Sequence, residues 1–111
     1  MSYEVRITRK AFRDMQEAAD YIEFEKYNPD AADNLLDTAA EMIGSLSEYP
    51  ERYHLSEDAV LRSWGIRHFP VKNYLVFYLV VENTVYVVRF LHHRRDWISI
   101  LHQEGIDYEE E

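Results

Sequence analysis

Two runs of β-forming residues, Tyr74–Val81 and residues 85–91, follow one another with only Glu82, Asn83 and Thr84 between them. Both runs are nearly continuous in apolar and aromatic side chains, the mark of central strands whose two faces are largely covered. Both are far short of the ~20 residues that a membrane helix needs. The three-residue break reads as a hairpin turn, with Asn83 suited to positive φ. Any fold for this chain must place that hairpin in the middle of a sheet.

Upstream the period changes. Residues 3–8 alternate apolar and polar, as in a half-buried strand. Thr8 then suits an N-cap, and within residues 9–27 Phe12, Met15, Ala19 and Ile22 form the stripe of an amphipathic helix. Asp14, Glu17, Asp20 and Glu23 lie off that stripe. Asn28-Pro29 breaks the helix, and Pro29 fits the first position of the next. Ala32, Leu35, Leu36, Ala39, Met42, Ile43 and Leu46 carry the 3.6 period to about residue 47. So short a break implies an antiparallel helix pair. Residues 47–63 are mixed and polar and read as a long irregular connection. Residues 66–71 read as a strand ended near Pro70, and residues 94–102 as a short helix with Trp97, Ile98 and Leu101 on one side. The expected fold is α+β, in the order β-α-α-β-β-β-α. A two-helix antiparallel hairpin packs on a small, mostly antiparallel sheet. Residues 1–103 form one domain and residues 104–111 an acidic C-terminal tail, expected to be frayed and solvated.

Strict alternation along the last strand turns Tyr86, Val88 and Phe90 toward the helices. Val85, Val87, Arg89, Leu91 and His93 then share the opposite, open face, where an interaction surface is expected. On the same rule His92 and His93 point opposite ways, a poor metal pair. No His-Glu-x-x-His motif or acidic calcium loop accompanies them. No metal and no cofactor are expected.

The 111 residues include no cysteine, which removes disulfide frameworks, thiolate zinc sites and Cys nucleophiles. The first residues show no apolar signal region, so a cytoplasmic protein without a membrane partner is expected. The net charge of −9 opposes nucleic-acid binding at long range, but it is unevenly spread. Residues 14–58 hold two Lys/Arg against thirteen acids, whereas residues 59–102 hold six against two, with four of the five histidines. Screening limits charge interactions to about 8–10 Å, so the local field decides what binds there. There is no G-x-x-x-x-G-K-[ST] loop and no G-x-S-x-G elbow, which removes nucleotide hydrolysis of that kind and α/β-hydrolase chemistry. Metal-independent cleavage of RNA survives, with arginines stabilising the phosphorane and a histidine as general acid or base. Its candidate residues are Arg67, His68, His93 and Arg94.

Gly65-Ile66-Arg67, Val71-Lys72-Asn73-Tyr74-Leu75-Val76-Phe77-Tyr78 and Val88-Arg89-Phe90-Leu91-His92-His93-Arg94-Arg95-Asp96 resemble the C-terminal half of the RelE/ParE toxin superfamily. Pro29-Asp30-Ala31-Ala32 and Leu46-Ser47-Glu48-Tyr49-Pro50 also fit, so the resemblance spans residues 3–101. It implies the toxin of a type II toxin–antitoxin module, neutralised by a small antitoxin. RelE-like members cut messenger RNA in the ribosome, and ParE-like members inhibit DNA gyrase without a nuclease site. Arg67 and Arg94 match basic positions of the superfamily. However, Leu75 and Val76 stand where the nucleases commonly have an arginine, and Trp97 stands where they have a Tyr. Leu91-His92-His93-Arg94-Arg95-Asp96 is closer to the ParE-like pattern. The resemblance therefore favours gyrase as target, with ribosome-bound mRNA the alternative and a degenerate, non-toxic antitoxin-binding protein a further one. Arg67, Val87, Arg89, Leu91, Arg94 and Arg95 are the expected partner-binding residues.

Overall fold

Each of the four α-helices starts where a short polar side chain can satisfy a free backbone N–H. The computed structural model describes residues 2–108. Thr8 Oγ1 accepts from Ala11 N at 3.2 Å ahead of α1 (Arg9–Asp20), and Asn28 Oδ1 accepts from Ala31 N at 3.1 Å ahead of α2 (Pro29–Gly44). Asp58 Oδ2 does the same for Leu61 N ahead of α3 (Ala59–Ser63), and Asp96 Oδ1 for Ser99 N ahead of α4 (Trp97–Glu104). Past Asp20 the first helix widens into a π-helical turn, Tyr21–Glu25, and Tyr27 reverses the chain at φ 54°. Short 3-10 turns occupy Ser45–Ser47 and Pro50–Arg52. The connection expected to be irregular thus holds an extra helix, α3, and the order becomes β-α-α-α-β-β-β-α.

Four strands form one sheet: β1 (Glu4–Ile7), β2 (Arg67–Val71), β3 (Tyr74–Val81) and β4 (Thr84–His92), in the spatial order β1-β4-β3-β2. β1 runs parallel to β4 and the other pairs are antiparallel. The long hairpin is therefore central, as its apolar runs require. Pro70 lies in β2, an edge strand that tolerates a missing N–H. Val81 pairs with Thr84, so the β3–β4 turn is Glu82-Asn83 and the positive φ falls on Glu82 (55°) rather than on Asn83.

The α1–α2 hairpin covers one face of the sheet. Ala11, Met15 and Ala18 from α1 and Leu35, Ala39 and Ile43 from α2 pack on Phe69, Val76, Tyr78, Val85, Val87 and Phe90. Each fully buried side chain of Leu or Phe size contributes about 1.5–3 kcal/mol. Phe12, placed in the stripe by spacing, is instead 54% exposed, and Ala11 takes the buried position. Small side chains on α1 let the helix lie close to β4.

The opposite face is not open. Leu61 of α3, Ile66 and Leu101 of α4 bury Phe77, Leu79, Val88 and Leu91, with Trp97, Ile100, Ile106 and Tyr108 packed around them. Ile106 and Tyr108, in the segment expected to be solvated, close that cluster, and the Tyr108 ring lies 4.7 Å from that of Tyr86. Residues 109–111 of the acidic tail lie outside the described residues.

Face assignment along β4 also differs from simple alternation. Tyr78 pairs with Val87 and Phe77 with Arg89, so Val88 is an extra residue, a β-bulge. Beyond the bulge the parity is as expected, with Phe90 on the hairpin side and Leu91 opposite. Before it the parity is reversed. Val85 and Val87 face the helix hairpin, whereas Tyr86 and Val88 face α4. One doubled residue breaks a period-2 argument for the whole preceding stretch.

Candidate functional site

Arg89, expected as a surface charge, is a buried ion-pair hub only 7% exposed. β1 leaves β4 after Val87, where Thr8 N still reaches Val87 O at 3.0 Å, and the next part of β4's edge lacks a strand partner. Asp14 of α1 fills that gap. Its Oδ2 accepts from Phe90 N at 3.0 Å and from Arg89 Nε at 2.7 Å, while Oδ1 accepts from Arg89 Nη2 at 3.2 Å. Arg89 Nη1 donates to Glu104 Oε1 of α4 at 2.6 Å, and Lys10 pairs with the same carboxylate. Burial opposes the Arg89 charge, but the bonds to Asp14 and Glu104 outweigh it and raise the pKa. The bond from Lys10 first, with the charges of Arg89 and Lys10 added, holds the Glu104 carboxyl below its ordinary range against an opposing cost of burial. Val87 and Leu91 are core residues, 0% and 1% exposed. These three residues therefore present nothing at the surface of the folded chain.

Arg67 is likewise committed. Its Nη1 donates to Tyr53 O at 2.6 Å and Glu51 O at 3.3 Å. Those carbonyls belong to the loop between α2 and α3, which Tyr78 also anchors through a 2.6 Å bond from its hydroxyl to Pro50 O. Burial pushes the Tyr78 phenol up to about 12, so it stays a donor. Arg52 donates to Glu48 O at 2.8 Å and closes the same loop from within.

The loop walls a cleft of about 780 Å³ together with the edge of β2 and the start of α4. Arg52, His54, Ser56, His68 and Trp97 line it. His68 follows Arg67 on β2 and so faces the other side of the sheet, where its ring sits 5.2 Å from those of Phe77 and Trp97. Its Nδ1 is buried without a hydrogen-bond partner, and burial lowers its pKa, keeping the imidazole neutral. A histidine whose folded pKa lies below the ordinary value of about 6.5 stays neutral where the unfolded chain has taken up a proton. His68 thus contributes full stability above that value and loses it as pH falls below it. Replacing His68→Phe should flatten the decline in urea midpoint between about pH 7.5 and 5; an unchanged slope would show that other groups cause it.

His93 and Arg94 stand at the far end of β4 in a second cleft of about 440 Å³. Tyr21, Lys26, Asn73, Tyr74 and His92 complete its lining. His92 Nδ1 accepts from Arg94 N at 3.1 Å, and its ring stacks on His93 at 4.8 Å and meets Tyr74 edge-on at 5.1 Å. The two imidazoles do not point apart as expected, because the strand ends at His92 and His93 enters the turn. Burial, then His93 and Arg94, lower the His92 pKa. Among the described residues no group of three or more His, Cys, Asp or Glu could hold a metal ion, and no helix is long and apolar enough to cross a membrane. Arg67, His68, His93 and Arg94 are therefore split between a structural anchor, one cleft and another. Spacing alone also missed the aromatic walls Tyr21 and Tyr74.

A helix hairpin on one face of a four-stranded sheet, with a short helix on the other, is an α+β fold that solved structures share. One chain of the chromosomal ParDE TA system from P. aeruginosa is similar at TM-score 0.66 and 18% identity, covering 82% of this chain and 96% of that one. A chain of the toxin–antitoxin complex RelBE2 from Mycobacterium tuberculosis is similar at TM-score 0.55 and 24% identity, over 83% and 99%. No curated protein matches the chain. The family described as ParE toxin of type II toxin-antitoxin system, parDE, matches residues 5–97, and the chain belongs to that family.

Proposed function

We propose that this toxin arrests growth by binding an essential target, DNA gyrase, and that a cognate antitoxin neutralises it. The observation that carries this reading is the separation of the nuclease candidates. Arg67 is spent on the carbonyls of Tyr53 and Glu51, and His68 is held neutral and half-buried between Phe77 and Trp97. His93 and Arg94 line a different cleft. General acid–base cleavage needs its groups within about 3 Å of one reacting centre or one water away. A toxin that acts by binding needs no such convergence. The ParE-like run of residues 91–96 supports gyrase as the target. Toxin–antitoxin assemblies among the structural neighbours support an antitoxin partner.

Excess purified toxin should inhibit supercoiling by gyrase, and brief induction should leave messenger RNA ends unchanged in end-mapping. Intact supercoiling together with new in-frame transcript cuts would replace this reading with the ribosome-dependent nuclease.

A further inference from the structure

At least six of the twelve lysines and arginines are matched by acids or backbone carbonyls of the described residues. Arg6 pairs with Glu4, Lys10 with Glu104, and Arg89 with Asp14 and Glu104. Arg52, Arg62 and Arg67 are bonded to backbone carbonyls. Lys26 has only the face of Tyr21, 5.7 Å from the ring centroid, and among the described residues Lys72, Arg94 and Arg95 have no acidic partner. These four come from three separate segments of a chain whose net charge is −9, yet the fold gathers them at one end of the sheet. Lys26 and Arg94 line the cleft beside Tyr21, Tyr74, His92 and His93, and no carboxylate lines it. Arg95 lines the neighbouring depression, and Lys72 sits in the turn before Asn73.

We propose that this cleft at the carboxyl end of β4 docks an acidic segment of a partner protein. Carboxylates of that segment meet Lys26, His93 and Arg94, and its apolar residues lie against Tyr21 and Tyr74. Charge-assisted bonds of this kind are the strong ones at a surface, and the tyrosine faces supply apolar area with a polar rim. The surroundings favour a short acidic peptide over nucleic acid. Glu17 lines the adjoining depression, and Asp20, Glu23 and Glu25 continue along the same helix. A duplex would press its regularly spaced phosphates against those carboxylates, whereas a discrete acidic stretch ends before them. The proposal rests on the reading that a protein partner neutralises the toxin, and it assigns that partner's acidic segment to these residues.

The test is a titration of the isotope-labelled full chain with a short, capped, Glu-rich peptide, followed by backbone amide resonances. Shifts should concentrate at Asn73, Tyr74 and residues 92–95. The double variant Arg94→Glu/Arg95→Glu should bind about tenfold more weakly, the scale of two reversed surface charges. Arg13→Glu, a cation on α1 outside the cleft, should bind as the parent does. Absence of shifts at about 1 mM peptide would overturn the proposal. So would equal weakening by Arg13→Glu, which would mean diffuse attraction. Tighter binding of a short DNA duplex at the same resonances would overturn it in favour of nucleic acid. Gyrase takes no part in the titration, so its outcome is independent of the target assignment.

Discussion

Arg89→Ala should lower the stability of this toxin by about 3–5 kcal/mol, the usual cost of leaving one member of a buried ion pair alone. Asp14 and Arg89 have side chains only 10% and 8% exposed, and no other cation is within bonding reach of the Asp14 carboxylate in the described contacts. The loss would appear as a lower urea midpoint with an unchanged slope. Asp14→Asn should cost less, because an amide oxygen can still accept from Phe90 N and from Arg89. If Arg89→Ala left the midpoint in place, the charge would be solvated and the hub reading wrong. Loss of toxicity in Arg89→Ala should therefore track loss of folded protein, not loss of a contact with the target.

Arg67→Ala should destabilise the chain by about 2–3 kcal/mol, since hydrogen bonds from a charged donor contribute about 1.5–3 kcal/mol and two carbonyls lose their partner. The effect should be local as well as global. Tyr53 stacks on Phe69 at 4.6 Å, and Ser56 N donates to Ile66 O at 2.8 Å, so the loop is tied to the sheet on both sides of the lost anchor. Amide exchange at Ser56 should accelerate well beyond that of β3 amides, which report global opening. Arg67→Lys should recover part of the loss through a single bond. A purely catalytic Arg67 would give the opposite pattern, with stability and Ser56 exchange untouched while activity vanished.

The helix pair, its caps and the central hairpin were legible because each rests on local chemistry. A side-chain oxygen three residues before an N–H, Pro29 after Asn28, and an unbroken apolar run all act over a few residues. The candidate site was far less legible. Arg67, His68, His93 and Arg94 are of two residue types suited to phosphate chemistry, but adjacent positions on β2 face opposite sides, and β4 carries the other pair to a distant end. His92 and His93 were misread for a simpler reason: alternation stops where the strand stops.

Sequence by itself determined an α+β fold with a two-helix hairpin on a small sheet, since periodicity and turn chemistry are written residue by residue. Tertiary structure alone decided which charges are internal and which are left at the surface. Arg89 is silenced by Asp14, 75 positions away, and Val88 doubles the register just where the faces are set. A charged side chain's role depends on what distant segment reaches it, and no local pattern encodes that distance.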